Sequence, residues 1–255
     1  MALLTIDHYA DSLGFQTSCS VILPQRRFED APVGGRYPTL WLLHGSSDDH
    51  TSWLRFSAIE RYVAELRWAV VMPAVHQSCY ANMAAGGRYW DYISDELPAM
   101  LEEWLPVATE REQRYVAGIS MGGFGAFKLA LNRPERFAAA ASLSGALFLY
   151  PHDMREQFSC PSRAEIWLSV YGSADAIERS EDDLLHQARR RHQAGAQMPR
   201  LFACCGRDDH LFDLNERSIA SMRREGLAIE YETQAGGHDW TYWDGRIQDC
   251  LEWMA

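Results

Sequence analysis

The sequence predicts an α/β fold built on a mostly parallel, doubly wound sheet. Short apolar runs recur along the 255 residues, each ends in turn residues, and most are followed by a helical pattern. The runs are continuous rather than alternating, which is typical of strands buried on both faces. The alternation of strand and helix independently indicates parallel strands joined by crossover helices.

The elements follow in chain order. Two N-terminal segments, LLTIDHYA and FQTSCSVILP, alternate polar and apolar residues, so they predict antiparallel edge strands. Buried strands are predicted at TLWLLHG (39–45), WAVVMP (68–73), RYVAGIS (114–120), FAAAASLSG (137–145), RLFACCG (200–206) and LAIEYET (227–233). Helical patterns follow three of these strands, namely SWLRFSAIERYVAEL, SDELPAMLEEWLP and GAFKLAL.

Residues 1–255 are predicted to form a single domain, because no repeat, low-complexity tract or flexible linker divides them. Residues 146–199 are harder to interpret. One interpretation makes them a small cap-like insertion over the carboxyl edge of the sheet, where open α/β sheets place ligands. The other is an ordinary crossover helix with a long loop.

Composition excludes several classes of partner. The net charge of −11 argues against nucleic acid and against an anionic membrane surface. No apolar run reaches the roughly 18 residues needed to span a bilayer. The first residues lack a basic n-region and meet Asp7 early, so we expect a cytoplasmic protein without a signal peptide. The six cysteines show no metal spacing and no disulfide framework, so we expect free, mostly buried thiols.

A serine between two glycines is the first candidate for chemistry. Gly118-Ile119-Ser120-Met121-Gly122 fits the pattern G-x-S-x-G, and it stands between a predicted strand and a predicted helix. Small neighbours allow the strained backbone that exposes a nucleophilic hydroxyl at such a turn. The pattern alone is weak, because glycine is frequent in this chain.

A serine nucleophile needs a base, and an imidazole base needs a carboxylate. His238 stands in a glycine-flanked loop after the last predicted strand, whereas the other eight histidines lie in less suitable places. Asp208 and Asp209 follow another strand, between Ser120 and His238, and either one fits as the partner. The chain order Ser, Asp, His is the order that α/β-hydrolases use.

The developing oxyanion needs backbone donors. We expect one from the N–H of Met121, directly after the nucleophile, and one from the N–H of Ser46 in the loop after the TLWLL strand. Gly45 allows that loop to turn towards the site. His44 is expected to brace the loop by hydrogen bonds rather than to act in catalysis.

Two polar or aromatic stretches invite other interpretations. SSDDH (46–50) gathers potential metal ligands, but we expect a solvated loop and no metal site. GGRYWDY (86–92) could either stack a ring of the substrate or form core and helix-cap structure, and the sequence does not decide between them.

With these residues in hand, the chain resembles the esterase D-like branch of the α/β-hydrolases, in particular bacterial tributyrin-esterase-type carboxylesterases. The similarity runs nearly end to end. It is carried by LLHGSSDDHTSWLR, VVMP, DELP, GISMGGFGAFKLAL, SLSGAL, CGRDDHLF and GGHDWTYW.

The resemblance implies an α/β-hydrolase fold with hydrolysis of short-chain acyl esters, including carbohydrate-linked or feruloyl esters, without a cofactor. It implies a triad of Ser120, Asp209 and His238, and it favours Asp209 over Asp208 because the acid stands four places into a turn that begins at Gly206. The loop AVHQSCYANMAAGGRYW borders the pocket in such relatives. The expected substrate contacts are therefore His44, Gly45, Tyr80, Trp90 and Trp240.

Three other functions stay open at this point. The same acyl-enzyme could transfer its acyl group to a sugar or thiol, or hydrolyse a thioester as S-formylglutathione hydrolases do. The cysteine-bearing stretch of those hydrolases is replaced here by SSDDHTSW. A binding module on a hydrolase scaffold is the alternative outside catalysis. A small-molecule ester is the expected partner, and the sequence leaves homo-oligomerisation open.

Overall fold

A computed structural model describes residues 1–25, 35–161 and 163–255. The described residues form an eight-stranded sheet with the order β1-β2-β4-β3-β5-β6-β7-β8. The strands are β1 (Ala2–Ala10), β2 (Phe15–Leu23), β3 (Thr39–Leu43), β4 (Ala69–Pro73), β5 (Arg114–Ile119), β6 (Ala139–Leu143), β7 (Arg200–Gly206) and β8 (Ile229–Gln234).

The two N-terminal strands are antiparallel to their neighbours, and the remaining pairs are parallel. This confirms the fold class and the antiparallel edge that the sequence predicts. Strands β3, β4 and β6 are buried along their whole length, and β5 and β7 are buried except at one residue near their starts. Continuous apolar runs arise here because helices cover both faces of the sheet.

Ten α-helices occur in the described residues: α1 (Ser52–Phe56), α2 (Ile59–Leu66), α3 (Tyr89–Asp91), α4 (Leu97–Trp104), α5 (Met121–Asn132), α6 (His152–Ser159), α7 (Ala164–Tyr171), α8 (Leu184–Gln193), α9 (Phe212–Arg224) and α10 (Trp240–Met254). A π-helical turn (Tyr92–Glu96) joins α3 to α4. None of the described helices combines the length and the apolar character needed to cross a membrane.

Side chains of β3 alternate between two apolar layers, one on each face of the sheet. Trp41 and Leu43 pack with residues of α4, α5, α8 and α9, whereas Leu40 and Leu42 pack with residues of α1, α2 and α10. The parallel strands β3, β5, β6, β7 and β8 end at a common edge. The loops that follow these strands therefore meet at one place.

Residues 146–199 divide into two parts, apart from residue 162, which lies outside the described residues. Helix α8 packs between α5 and α9 as an ordinary crossover helix, and Arg191 of α8 donates to the carbonyls of Leu131 and Asn132 at 2.7 Å each. Helices α6 and α7 instead contribute side chains to a cavity at the carboxyl edge of the sheet. Helix α8 is thus a crossover helix, whereas α6 and α7 lie beside the cavity; a cap-like role for this segment stays a prediction.

Candidate active site

Ser120 lies between the end of β5 and the start of α5, in a backbone conformation that few serines adopt. Its φ is 52° and its ψ is −117°. Two backbone hydrogen bonds keep Ser120 in this strained conformation. Its N–H donates to the carbonyl of Leu143 at 2.9 Å, and its carbonyl accepts from the N–H of Ala146 at 2.9 Å. The tight turn projects the side chain away from the sheet.

The two glycines of the motif are required by close approach of the backbone. A Cβ on Gly118 would come within 2.3 Å of the carbonyl oxygen of Gly122. A Cβ on Gly122 would come within 2.5 Å of the carbonyl oxygen of Leu43, at the end of β3. Because these contacts are with backbone, they could not be relieved by a side-chain rotation. Strand β5, helix α5 and the loop after β3 therefore approach one another so closely around Ser120 that only glycine fits at these two positions.

His238 approaches Ser120 from the loop between β8 and α10. Its Nε2 lies 3.0 Å from Ser120 Oγ, and its Nδ1 lies 2.9 Å from Asp209 Oδ2 and 3.0 Å from Asp209 Oδ1. The structure brings together three side chains that are distant in the chain. The arrangement matches a serine–histidine–carboxylate relay in both distance and order.

Asp209, rather than Asp208, faces the imidazole. Asp209 is only 5% exposed and also accepts the N–H of Leu211 at 2.8 Å, whereas Asp208 is exposed and accepts the N–H of Gly236 at 3.3 Å. Burial alone would raise the pKa of Asp209, but hydrogen bonds from His238, Leu211 and Ser144 outweigh it and lower the pKa. The carboxylate therefore stays ionised beside the imidazole at neutral pH.

Two backbone segments adjoin Ser120 where an oxyanion would develop. Met121 is the first residue of α5, and the first N–H groups of a helix have no partner within the helix. The loop of Gly45 and Ser46 lines the same cavity as Ser120, and a Cβ on Gly45 would lie 3.6 Å from the Cβ of Ser120. The N-terminal end of α5 adds a positive dipole at this point.

His44 is buried behind the loop and does not line the cavity. The N–H of Val75 donates to its Nε2 at 3.0 Å, so the imidazole proton is on Nδ1, which lies 2.7 Å from the carbonyl oxygen of Gly45. Tyr80 donates its hydroxyl to the carbonyl of His44 at 3.0 Å. Burial, the largest cause, lowers the pKa of His44 to about 4. A neutral His44 thus ties the loop to the neighbouring backbone.

The cavity in front of Ser120 has a volume of about 570 Å³. Gly45 and Trp240 line it, as the sequence leads one to expect for substrate contacts. The expectation needs correction for His44, Tyr80 and Trp90, none of which lines the cavity. His44 is buried behind the loop, and Tyr80 and Trp90, which are 0% and 2% exposed, lie in the core. The GGRYWDY stretch therefore forms the start of helix α3 and part of the core. Its aromatic rings pack against apolar side chains and do not line the cavity.

Several residues that the sequence did not single out as contacts form much of the cavity wall. Helices α6 and α7 and the segment before them supply an apolar side, and Trp167 stacks on Tyr171 with 6.0 Å between ring centroids. The apolar run EIWLSVY was visible in the sequence, but its position over the cavity was not. His210 also lines the cavity and meets His238 edge-on at 4.5 Å. The residues on the apolar side of the cavity that the sequence did not single out are Phe148, Met154, Ile166, Trp167 and Tyr171.

Potential metal ligands serve other purposes in this site. Within the part of the chain that the structure describes, donor atoms of Asp209, His210 and His238 lie within 4.8 Å of one another and could hold an ion. Asp209 and His238 are, however, hydrogen-bonded to each other. In the 46–50 loop, Asp49 accepts the N–H of Thr51 at 2.7 Å and its hydroxyl at 2.6 Å, so this carboxylate is engaged locally.

The family model "Putative esterase" matches residues 10–254. The chain belongs to this esterase family. The esterase is also 27% identical over 265 residues to an acetyl esterase of Caldicellulosiruptor saccharolyticus, and this alignment covers 100% of the chain and 98% of that protein.

Two solved structures from Staphylococcus aureus resemble the esterase along almost its whole length. The fluorophosphonate-binding serine hydrolase FphF has 31% identity and a TM-score of 0.89, and the comparison covers 99% of this chain and 98% of FphF. The S-formylglutathione hydrolase FrmB has 30% identity and a TM-score of 0.86, with the same coverage. The comparisons confirm the α/β-hydrolase fold and the resemblance to esterase D-type proteins. This esterase is a carboxylic ester hydrolase.

Proposed function

We propose that the esterase hydrolyses short-chain acyl esters through Ser120, His238 and Asp209. The observation that carries this proposal is the continuous relay from Ser120 Oγ to His238 Nε2 at 3.0 Å and from His238 Nδ1 to Asp209 at 2.9 Å. The similarity to an acetyl esterase supports a short acyl group. A cavity of about 570 Å³ is of the usual size for a small-molecule site.

The proposed reaction has two halves. His238 Nε2 takes the hydroxyl proton of Ser120 while Oγ attacks the ester carbonyl carbon, and the amides of Met121 and Ser46 hold the oxyanion. The tetrahedral intermediate then expels the alcohol, which takes the proton from His238, and an acyl-enzyme remains. A water molecule, deprotonated by His238, releases the acid and regenerates Ser120. Asp209 stabilises the imidazolium and keeps its own charge.

Replacement of Ser120 tests this proposal. We expect Ser120→Ala to lower kcat for p-nitrophenyl acetate by about 10⁶-fold, because the nucleophile and its base act as a unit. Ser142→Ala is the matched control, because Ser142 is a buried serine of β6 whose hydroxyl has no hydrogen-bond partner among the described residues. Mass spectrometry after treatment with a fluorophosphonate should show the adduct on Ser120 in the wild type. Wild-type turnover by Ser120→Ala, or labelling elsewhere, contradicts the assignment.

Thioester hydrolysis is a second candidate, favoured by the 30% identity to S-formylglutathione hydrolase. The same acyl-enzyme forms from an ester or a thioester, so the leaving group decides between them. Comparing kcat/KM for p-nitrophenyl acetate, butyryl and feruloyl esters and an S-acyl glutathione identifies the preferred class. Adding a sugar or thiol acceptor to the same assay measures acyl transfer against hydrolysis.

A further inference from the structure

Asn215 of helix α9 carries a fully buried amide that lies outside the cavity. Its Nδ2 donates to the carbonyl of Gly145 in the loop after β6 and to the carbonyl of Leu211 before α9, at 2.9 Å each. Its Oδ1 is buried and has no hydrogen-bond partner among the described residues. A flipped amide would turn Oδ1 towards two carbonyl oxygens, so these two bonds fix the orientation of the side chain.

The bond to Gly145 reaches the turn that carries the nucleophile. The carbonyl of Gly145 and the N–H of Ala146 belong to one planar peptide group, in which they point in opposite directions. The N–H of Ala146 donates to the carbonyl of Ser120 at 2.9 Å. A single rigid peptide group therefore separates the amide of Asn215 from the strained backbone of Ser120, whose φ is 52°.

The bond to Leu211 reaches the turn that carries the acid. The N–H of Leu211 donates to Asp209 Oδ1 at 2.8 Å, and Asp209 Oδ2 lies 2.9 Å from His238 Nδ1. The carbonyl of Leu211 accepts both the side chain and the backbone N–H of Asn215, at 2.9 Å each. Leu211 is therefore held between the carboxylate of Asp209 on one side and Asn215 on the other.

Ser218 lies about one turn later on the same helix and provides a comparison. It is also 0% exposed, and its hydroxyl donates to the carbonyl of Leu147 at 2.7 Å. Ser218 thus bonds to the loop after β6, as Asn215 does. Among the described residues, however, its hydroxyl makes no hydrogen bond to the turn that carries Asp209. Joining the two turns is therefore particular to the amide of Asn215.

We propose that Asn215 is a positioning residue of this esterase, which sets the spacing between the turn of Ser120 and the turn of Asp209 by bonding to both. This inference rests on the proposed function, because it assigns Asn215 to the support of the triad that the function requires. A misplacement of about 1 Å can lower a rate by about 100-fold. A residue that joins two of the reacting loops should therefore affect catalysis without touching the substrate.

The test compares Asn215→Leu and Asn215→Ala with the control Ser218→Ala. Asn215→Leu keeps the branched shape of the side chain and removes both donors, and Asn215→Ala carries the test if Asn215→Leu does not fold. We expect kcat for p-nitrophenyl acetate to fall about 10- to 100-fold with KM nearly unchanged. Ser218→Ala should lower the free energy of unfolding in urea but keep wild-type kcat, because it loses only a bond to the loop after β6.

A pH profile separates positioning from a loss of stability. A carboxylate beside an imidazole favours the protonated form, so a carboxylate that is less well placed favours it less. We therefore expect the acid limb of kcat/KM to move to lower pH in both Asn215 variants and to stay in place in Ser218→Ala. The other titratable or charged groups around Asp209 and His238 are the same in all three variants, namely Asp48, Arg163, Cys205, His210 and Asp239.

Wild-type kcat and pH profile in both Asn215 variants overturn the positioning role. An equal fall of kcat in Ser218→Ala, or the failure of both Asn215 variants to fold, overturns it as well, because Asn215 then serves stability alone. In any of these outcomes, an inactive Ser120→Ala leaves the proposed function intact, whereas an active Ser120→Ala refutes both.

Discussion

His44 shows how one buried residue can make the stability of the esterase depend on pH. Its imidazole is neutral, accepts the N–H of Val75, and lies 1% exposed behind the loop that carries Ser46. Protonation would place a charge in a buried site and break the bond from Val75, so the folded protein resists it. His44 therefore binds a proton more readily in the unfolded chain than in the folded protein.

We expect the free energy of unfolding to fall as the pH drops from the ordinary histidine pKa of 6.5 to the folded value of about 4. Within that window the unfolded chain binds one more proton, so the loss from His44 amounts to at most about 3 kcal/mol. Urea unfolding of the wild type and of His44→Gln, measured from about pH 7 to about pH 4, isolates this part. Parallel curves for the two proteins would falsify the assignment. His210, whose pKa burial also lowers, is common to both.

At the scale of secondary-structure elements, a buried ion pair joins three segments around helix α5. Lys128 of α5 is 0% exposed and donates to Asp182 Oδ1 at 2.6 Å and to the carbonyl of Tyr80 at 2.8 Å. Its ammonium also lies 4.5 Å from the ring centroid of Trp90. Lys128 thereby ties helix α5 to the loop that contains Tyr80 and to the segment before α8.

Replacing this lysine should leave a buried acid without its partner. We expect Lys128→Met to lower the free energy of unfolding by about 3–5 kcal/mol, because breaking one side of a buried pair is worse than replacing both. Burial raises the pKa of Asp182 even with Lys128 present, so the unpaired acid should become protonated. The double variant Lys128→Met/Asp182→Leu should recover much of the loss. Equal stabilities of the single and double variants in urea unfolding would contradict this.

The active-site cavity is likewise an assembly of elements. The sheet contributes the loops after β3, β5, β7 and β8. The apolar side comes from Phe148 in the segment after β6 and from helices α6 and α7, which supply Trp167 among others. Loops at the carboxyl edge carry Ser120, Asp209 and His238, and the segment after β6 shapes the space in front of them. If the proposed function holds, we expect acyl-chain preference to depend chiefly on this apolar side.

At the scale of the whole molecule, charge should govern which esters reach the cavity. The net charge is −11, and fields of this kind repel anionic ligands over distances comparable to the Debye length. That length shrinks from about 30 Å at 0.01 M salt to about 8 Å at 0.15 M. Added salt therefore screens the repulsion.

We expect kcat/KM for an ester with a carboxylate in its acyl group, such as a monosuccinate ester, to rise severalfold over that range of salt. The neutral p-nitrophenyl acetate serves as the control and should change little, because the molecular field exerts no net force on it. Initial rates at several salt concentrations provide the ratio of the two values. A ratio that stays constant with salt would show that the positive charge of Arg163 at the cavity cancels the overall field locally.

The fold was predictable because a strand that is buried on both faces has a recognisable local pattern, a continuous run of apolar residues. The central strands are largely continuous apolar runs, such as TLWLL, and β3, β4 and β6 are buried throughout in the structure. The relay was predictable in part for a related reason. The glycines around Ser120 mark a turn that tolerates no Cβ, and parallel strands bring their carboxyl ends together whatever their order in the chain.

Other features of the site have no recognisable local sequence pattern. Asp208 and Asp209 are neighbours of the same type, so their residue types alone leave the choice open and only the resemblance favoured Asp209; the direction of the turn after β7 is what makes Asp209 face His238. Aromatic residues can line a cavity or fill a core, so the burial of Tyr80 and Trp90 depends on how α3 packs. The sequence by itself determined the sheet and pointed to Ser120 and His238, through local burial patterns and turn chemistry. Tertiary structure alone decided the cavity wall and the buried link between the turns of Ser120 and Asp209, because these contacts join residues far apart in the chain.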